Sequence, residues 1–208
     1  NGGYPIAIAL SNDAVKLAVS MININEGSVK STIAFYNYGT VGQNEIDHCV
    51  GVNNYDDMVI PEMEFTSNDR MVAFGDTKAV IFEGAQKPQA IAEIPMDEKT
   101  KSIFYNEHYI GIVTGNEDEA VTNHLAVYDE NGKLVMEKDF GLDYSSIEFL
   151  TNNEICIRNA NVCDIYTVHG VYKFHHEFEE ELFEIIPGKL KLNYTLVLKD
   201  TTQRIRLK

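Results

Sequence analysis

Apolar residues fall in short runs along the chain, alternating with polar ones and closed by Gly, Pro, Asn, Asp or Ser. A period of two predicts antiparallel strands, with no stretch of helical period. The first group of runs is PIAIAL, VKLAVSMI, STIAFYNY and EIDHCVGV; the second is EMEFT, MVAFGD, KAVIFEG and QAIAEIPM. A third reads KSIFY, YIGIVTG, HLAVYDE and LVMEKDF, and a fourth SIEFL, EICIRN, VCDIYTV and VYKFHHEF. The last has three strands and ends in QRIRLK.

A polar corner between the first two strands of each group marks the phase. IALSNDAVKLAV at 8–19 is echoed by EFTSNDRMVAFG at 64–75, IFYNEHYIGIV at 103–113, EFLTNNEICI at 148–157 and IIPGKLKLNYTLVL at 185–198. The recurrence lies near the ~40–50 residues of a propeller blade. The third strands carry Tyr36–Asn37, Phe82–Glu83, Tyr128–Asp129 and Tyr166–Thr167, where tryptophan–aspartate repeats hold their signature pair. The chain has no Trp, so spacing and strand count carry the assignment.

The predicted fold is therefore all-β: a β-propeller of four-stranded antiparallel blades at about 4–60, 61–99, 100–145 and 146–183, with a three-stranded fifth at 184–208. Four blades and a part do not make a closed set. The favoured reading is the C-terminal part of a larger ring; the alternative is an irregular five-bladed ring. A fragment of a ring would expose apolar blade faces and bury them by self-association.

At 208 residues the chain can bury a sizeable core, and a net charge of -15 repels phosphate backbones. Nucleic acid and anionic membrane surfaces are accordingly not expected as partners. Three cysteines are too few for a disulfide scaffold and lack zinc-site spacing. Buried free thiols are the default. In CIRNANVC a turn at Asn159 and Ala160 would set Cys156 opposite Cys163, which opens a disulfide as the alternative.

The segments GYPIAIALSNDAVKLAVS, KSTIAFYNYGTVGQN, MEFTSNDRMVAFGD, KSIFYNEHYIGIV and LAVYDENGKLV resemble, in this order, a domain-of-unknown-function family of membrane-anchored, propeller-like (WD40/quinoprotein-like) proteins of Gram-positive gut anaerobes. The resemblance implies a parent anchored by an N-terminal helix outside this chain, a propeller on the extracytoplasmic, cell-surface side of the membrane, and further blades upstream. It brings no activity and no catalytic motif, and no cofactor is predicted apart from the calcium that acidic loops could take.

Local enzyme signatures are absent: there is no Gly-x-Ser-x-Gly elbow, phosphate-binding glycine loop, zinc-protease helix or dinucleotide fingerprint. His175 and His176 are adjacent on a predicted strand and point to opposite faces, so they do not share an ion. DENGK at 129–133 begins like a calcium loop, but Phe140 stands where the closing acid belongs, and a β-turn with Gly132 left-handed is the better reading.

The acidic run in FHHEFEEELFE is expected to guard a strand edge. Sorting loops by their place in the blade gathers Glu26, Asp56, Asp57, Asp97, Glu98, Glu117, Asp118, Glu119 and Asp143 on one end, with Lys99 and Lys101 nearby. Such acids keep loops solvated in an acidic chain; the functional alternative is an end that binds a basic partner surface or a cation, for which calcium or magnesium suits carboxylate oxygen better than zinc does. The leading functional expectation is a non-enzymatic interaction or scaffold domain presenting its loops to a protein or cell-envelope component. The alternative is a divalent-metal-assisted hydrolase using inner-strand acids such as Glu62, Glu64, Glu148 and Glu184.

Overall fold

The computed structural model describes residues 3–25, 27–37, 49–85, 87–115 and 123–206. Every regular element among them is a β-strand, as the period-two pattern requires. The first sheet is β1 (Tyr4–Leu10), β2 (Lys16–Asn25), β3 (Ser28–Asn37) and β4 (Cys49–Asp56). The second is β5 (Glu62–Ser67), β6 (Arg70–Phe74), β7 (Lys78–Glu83) and β8 (Gln89–Pro95). β9 (Thr100–Tyr105), β10 (Tyr109–Gly115), β11 (Asn123–Asp129) and β12 (Leu134–Phe140) make the third.

The fourth sheet holds β13 (Ser146–Phe149), β14 (Glu154–Asn159), β15 (Val162–Thr167) and β16 (Tyr172–Glu177). β17 (Leu182–Pro187), β18 (Asn193–Leu198) and β19 (Thr202–Arg206) form the fifth. Each sheet is an antiparallel meander in which neighbours in sequence are neighbours in space. Short polar connections make this the low-cost arrangement.

Contacts divide the chain into two compact units, Asn1–Glu98 with Glu130–Gly132, and Lys99–Asp129 with Lys133–Lys208. In the first, one face of the first sheet (Ala9, Ala18, Ile33, Phe35) packs on Met63, Phe65, Met71, Ala73, Val80 and Phe82 of the second. Alanines on β1 and β2 let the sheets approach closely, and Phe35 meets Phe82 edge-on with centroids 5.2 Å apart. Two buried hydroxyls in this interface are satisfied by carbonyls of the connection after β4: Ser20 Oγ donates to Ile60 O at 2.8 Å and Ser31 Oγ to Met58 O at 2.6 Å.

In the second unit Val113, Leu125, Val127, Ile155, Ile157 and their neighbours form one core, and Cys156, Cys163, Ile165, Ile185, Tyr194 and Leu196 anchor another. The β14–β15 turn lies at Ala160 and Asn161, because Asn159 pairs with Val162 and Ala160 takes the left-handed backbone (φ 49°). The turn is one residue later than expected, which moves the pairing register by two. Cys156 faces Ile165 and Cys163 faces Arg158, so the two thiols stand diagonally on one face, free, with sulfurs 3.7 Å apart.

Gly132 in the DENGK turn has φ 75°, and Lys133 N donates to Asp129 Oδ1 at 2.9 Å, the geometry of a turn. His175 bonds Asp164 through Nδ1 at 2.7 Å, while His176 lies between the rings of Phe174 and Phe178; the adjacent histidines do different things.

Candidate functional site

The polar corners explain why their spacing repeats. In the first, Asp13 Oδ1 accepts from Ser11 Oγ at 2.6 Å and from Val15 N at 3.1 Å, and these bonds hold its carboxyl below the usual range, the serine contributing most. Lys16 N donates to Ser11 Oγ at 2.9 Å, closing the loop.

The second corner is built from the same letters, and the two bond each other. Asp13 N donates to Asn68 Oδ1 at 3.1 Å, while the buried Lys16 reaches Asn68 O at 2.6 Å and Asp69 Oδ1 at 2.5 Å. In the second unit the corner of the third sheet meets that of the fourth in the same way, with Asn106 Nδ2 donating to Asn153 Oδ1 at 2.9 Å. Within each unit, a corner thus links one sheet to the next.

Below its corner the first sheet offers an apolar face left exposed among the described residues. Along β1 the apolar side chains Ile6 (39%), Ile8 (67%) and Leu10 (52%) are exposed on this face, and Tyr4 (79%) is exposed beyond the bulge between Pro5 and Ala7. The face continues through half-buried Leu17, Val19 and Met21 on β2 to Val52 on β4, which is 52% exposed.

Register identifies what this face corresponds to. Leu10 pairs with Leu17 and Ile8 with Val19, the two same-face pairs before the corner. In the second sheet the pairs before the corner are Phe65 with Met71 and Met63 with Ala73. Those four are 0–4% exposed, because the first sheet covers them. The same positions with the same apolar chemistry are covered in one sheet and open in the other. An extended apolar patch of this kind marks an interaction surface.

The acidic residues singled out from the sequence are distributed otherwise. Asp56 ends β4 and pairs with Lys30 at 3.1 Å, so part of its charge is already answered. Asp57 follows with φ 51°, its N–H bonded to Val29 O at 2.8 Å. Asp97 and Glu98 lie exposed in the connection after β8, and Asp143 in the connection after β12. Glu26, Glu117, Asp118 and Glu119 lie outside the described residues.

Among the described residues no three His, Cys, Asp or Glu side chains stand close enough to hold a metal ion. Of the inner-strand acids, Glu148 accepts from Arg158 Nη2 at 2.7 Å, and Glu62, Glu64 and Glu184 are exposed. The structure therefore brings together the corners and the apolar face. Neither stood out as a site in the sequence, although the alternation of Ile6, Ile8 and Leu10 with Ala7 and Ala9 is visible in it once the opposite face is known to be packed.

Comparison with known proteins places this architecture. The chain belongs to a family of unknown function, DUF5711, whose model matches residues 1–207. No curated protein matches the sequence. Among solved structures it is similar to the β-propeller domain of the Trilobed protease from Pyrococcus furiosus, described as having an open velcro topology (TM-score 0.55, 10% identity, 98% of this chain and 70% of that one). It is also similar to KlHsv2 with loop 6CD replaced by a Gly-Ser linker (TM-score 0.51, 11% identity, 99% of this chain and 63% of that one).

The AfRom2 CNH domain is a third (TM-score 0.50, 10% identity, 99% of this chain and 69% of that one). At such identities the likeness shows the fold alone: a β-propeller of four-stranded antiparallel sheets with a three-stranded fifth. The chain spans between 63% and 70% of the length of these propellers.

Proposed function

We propose that this member of the DUF5711 family is a non-enzymatic scaffold: part of a larger β-propeller whose first sheet docks a further four-stranded antiparallel sheet, and whose loops meet a protein or cell-envelope partner. The observation that carries the reading is the open face of β1, whose register counterparts in the second sheet are buried under a neighbouring sheet. The occupant is another sheet of the same kind because the first sheet's other face, rich in Ala with Ile33 and Phe35, already shows what such a face packs against. The share of the similar propellers left unspanned is room for at least one more blade. Covering Ile8 and Leu10 would contribute about 1 kcal/mol or more each.

The extracytoplasmic placement rests on the segment resemblance, which also supplies the membrane-anchored parent. A membrane-impermeant label that reaches the domain on intact cells supports this placement, and labelling only after lysis overturns it.

The docking claim is tested by Ile8→Lys/Leu10→Lys in both the 208-residue chain and the full-length gene product. In the shorter chain the substitutions fall on exposed positions and move stability by less than about 0.5 kcal/mol. In the full-length protein they bury two charges against a sheet and cost several kcal/mol or prevent folding. Equal, small effects in both overturn the reading.

A further inference from the structure

One cleft in the second unit reverses the charge of the chain around it. Its floor carries Glu154 at the start of β14 and Lys173 on β16, backed by Tyr194 on β18. Glu154 is 8% exposed, and both carboxylate oxygens are used. Oε1 accepts from Lys173 Nζ, and Oε2 accepts from Tyr194 Oη at 2.6 Å. Burial, with the carboxylate as second cause, pushes the Tyr194 phenol upward and keeps it a donor. Lys173 therefore answers the one acid of the cleft.

The wall is the loop between β17 and β18, reading Gly188-Lys189-Leu190-Lys191-Leu192. Together they enclose an open cleft of about 510 Å³, lined by Asn152, Glu154, Lys173 and this loop. Among the described residues Lys189 and Lys191 stand outside the ion pairs, which include Lys16, Lys30, Lys78 and Lys173, in a chain where 32 acids face 17 bases. A second cleft of about 470 Å³ shares Lys189 and adds Arg204 of β19.

The loop is held in shape. Gly188 N donates to Asn193 O at 2.7 Å, and Asn193 Nδ2 donates to Leu190 O at 3.3 Å and Lys191 O at 3.2 Å. Leu192 sits at φ 66°, a left-handed backbone that costs a leucine about 1 kcal/mol or more, so its conformation is enforced by its surroundings. Leu190 projects with 73% of its surface exposed.

We propose that this cleft binds a phosphate-type anion, with Lys189 and Lys191 supplying the uncompensated charge and Lys173 the donor at its floor. Multiple lysines converging on a cleft floored by satisfied polar groups suit a di- or polyanionic phosphate better than a lone carboxylate. The same chemistry can arrive as a soluble phosphate compound or as a lipid headgroup, and in the second case Leu190 would enter the acyl boundary. The inference is independent of the scaffold reading.

The test is calorimetric titration of the chain with pyrophosphate at fixed ionic strength, alongside co-sedimentation with phosphatidylcholine vesicles with and without phosphatidic acid, a phosphomonoester headgroup. The expected result is saturable binding to at least one probe, weakened about tenfold by Lys189→Gln/Lys191→Gln and unchanged by the equally charged control Lys133→Gln/Lys199→Gln. Vesicle binding that also falls with Leu190→Ser assigns the headgroup source, and pyrophosphate binding alone assigns the soluble one. No saturable binding to either probe, or equal loss in the control pair, overturns the proposal.

Discussion

Asn106 and Asn153, 47 positions apart in sequence, meet side chain to side chain at 2.9 Å. Asn106 also turns its own corner, its Oδ1 accepting from His108 N and Tyr109 N, each at 2.8 Å. One residue thus shapes a local loop and ties it to the next sheet. Asn106→Ala should lose about 1–3 kcal/mol in urea unfolding, and a double-mutant cycle with Asn153→Ala should show a coupling of about 0.5–1.5 kcal/mol. Additive effects would mean that the corner link contributes nothing beyond each turn.

Close approach of an aromatic ring makes Gly111 irreplaceable at its strand position. Phe104 lies directly across from it, and a Cβ at Gly111 would fall 2.2 Å from the ring. Gly111→Ala should destabilise by about 1–3 kcal/mol, and Phe104→Leu in the same chain should recover part of the loss. A neutral Gly111→Ala would show that the ring moves aside freely.

Stability should fall on the alkaline side for a specific reason. Burial pushes Tyr55 up to about 12, with Glu93 adding to it, and raises Tyr128 and Tyr166 as well. The folded state therefore keeps protons that the unfolded chain gives up near pH 10, so stability is full below that value and lost as pH rises toward 12. Urea midpoints should stay level from pH 7 to about 9.5 and then decline, less steeply in Tyr55→Phe. An unchanged slope in that variant would remove Tyr55 as a cause.

Thiol chemistry follows burial. Cys49 is exposed, whereas Cys156 and Cys163 are 0% exposed and share a sulfur contact that, with burial, raises the Cys163 thiol. An aromatic disulfide reagent should find one fast thiol in the native chain and three after unfolding. One thiol after unfolding without reductant would reveal a Cys156–Cys163 disulfide.

Strand alternation and the recurring corner made the all-β propeller fold legible, because both depend on neighbours in sequence. What escaped depends on distant ones. The β14–β15 turn sits one residue later than Asn159–Ala160, with Ala160 rather than Asn159 in the left-handed backbone that an asparagine adopts more readily than an alanine. The Glu154–Tyr194 bond joins positions 40 apart and left no local pattern in the sequence. Asp56 could be assigned to a loop end, but its partner Lys30 on the adjacent strand became visible only with the β3–β4 register. The open face of β1 could be recognised only once its covered counterpart in the second sheet was known.

The central claim, that another sheet covers β1, is most directly tested by placing a reactive group on that face. Ile8→Cys, in a Cys49→Ser background, should react with a water-soluble maleimide at an exposed-thiol rate in the 208-residue chain, since the site is 67% exposed. In the full-length protein the account predicts protection by about tenfold or more, the cost of opening an interface worth at least about 1.4 kcal/mol. Equal rates in the two would contradict it.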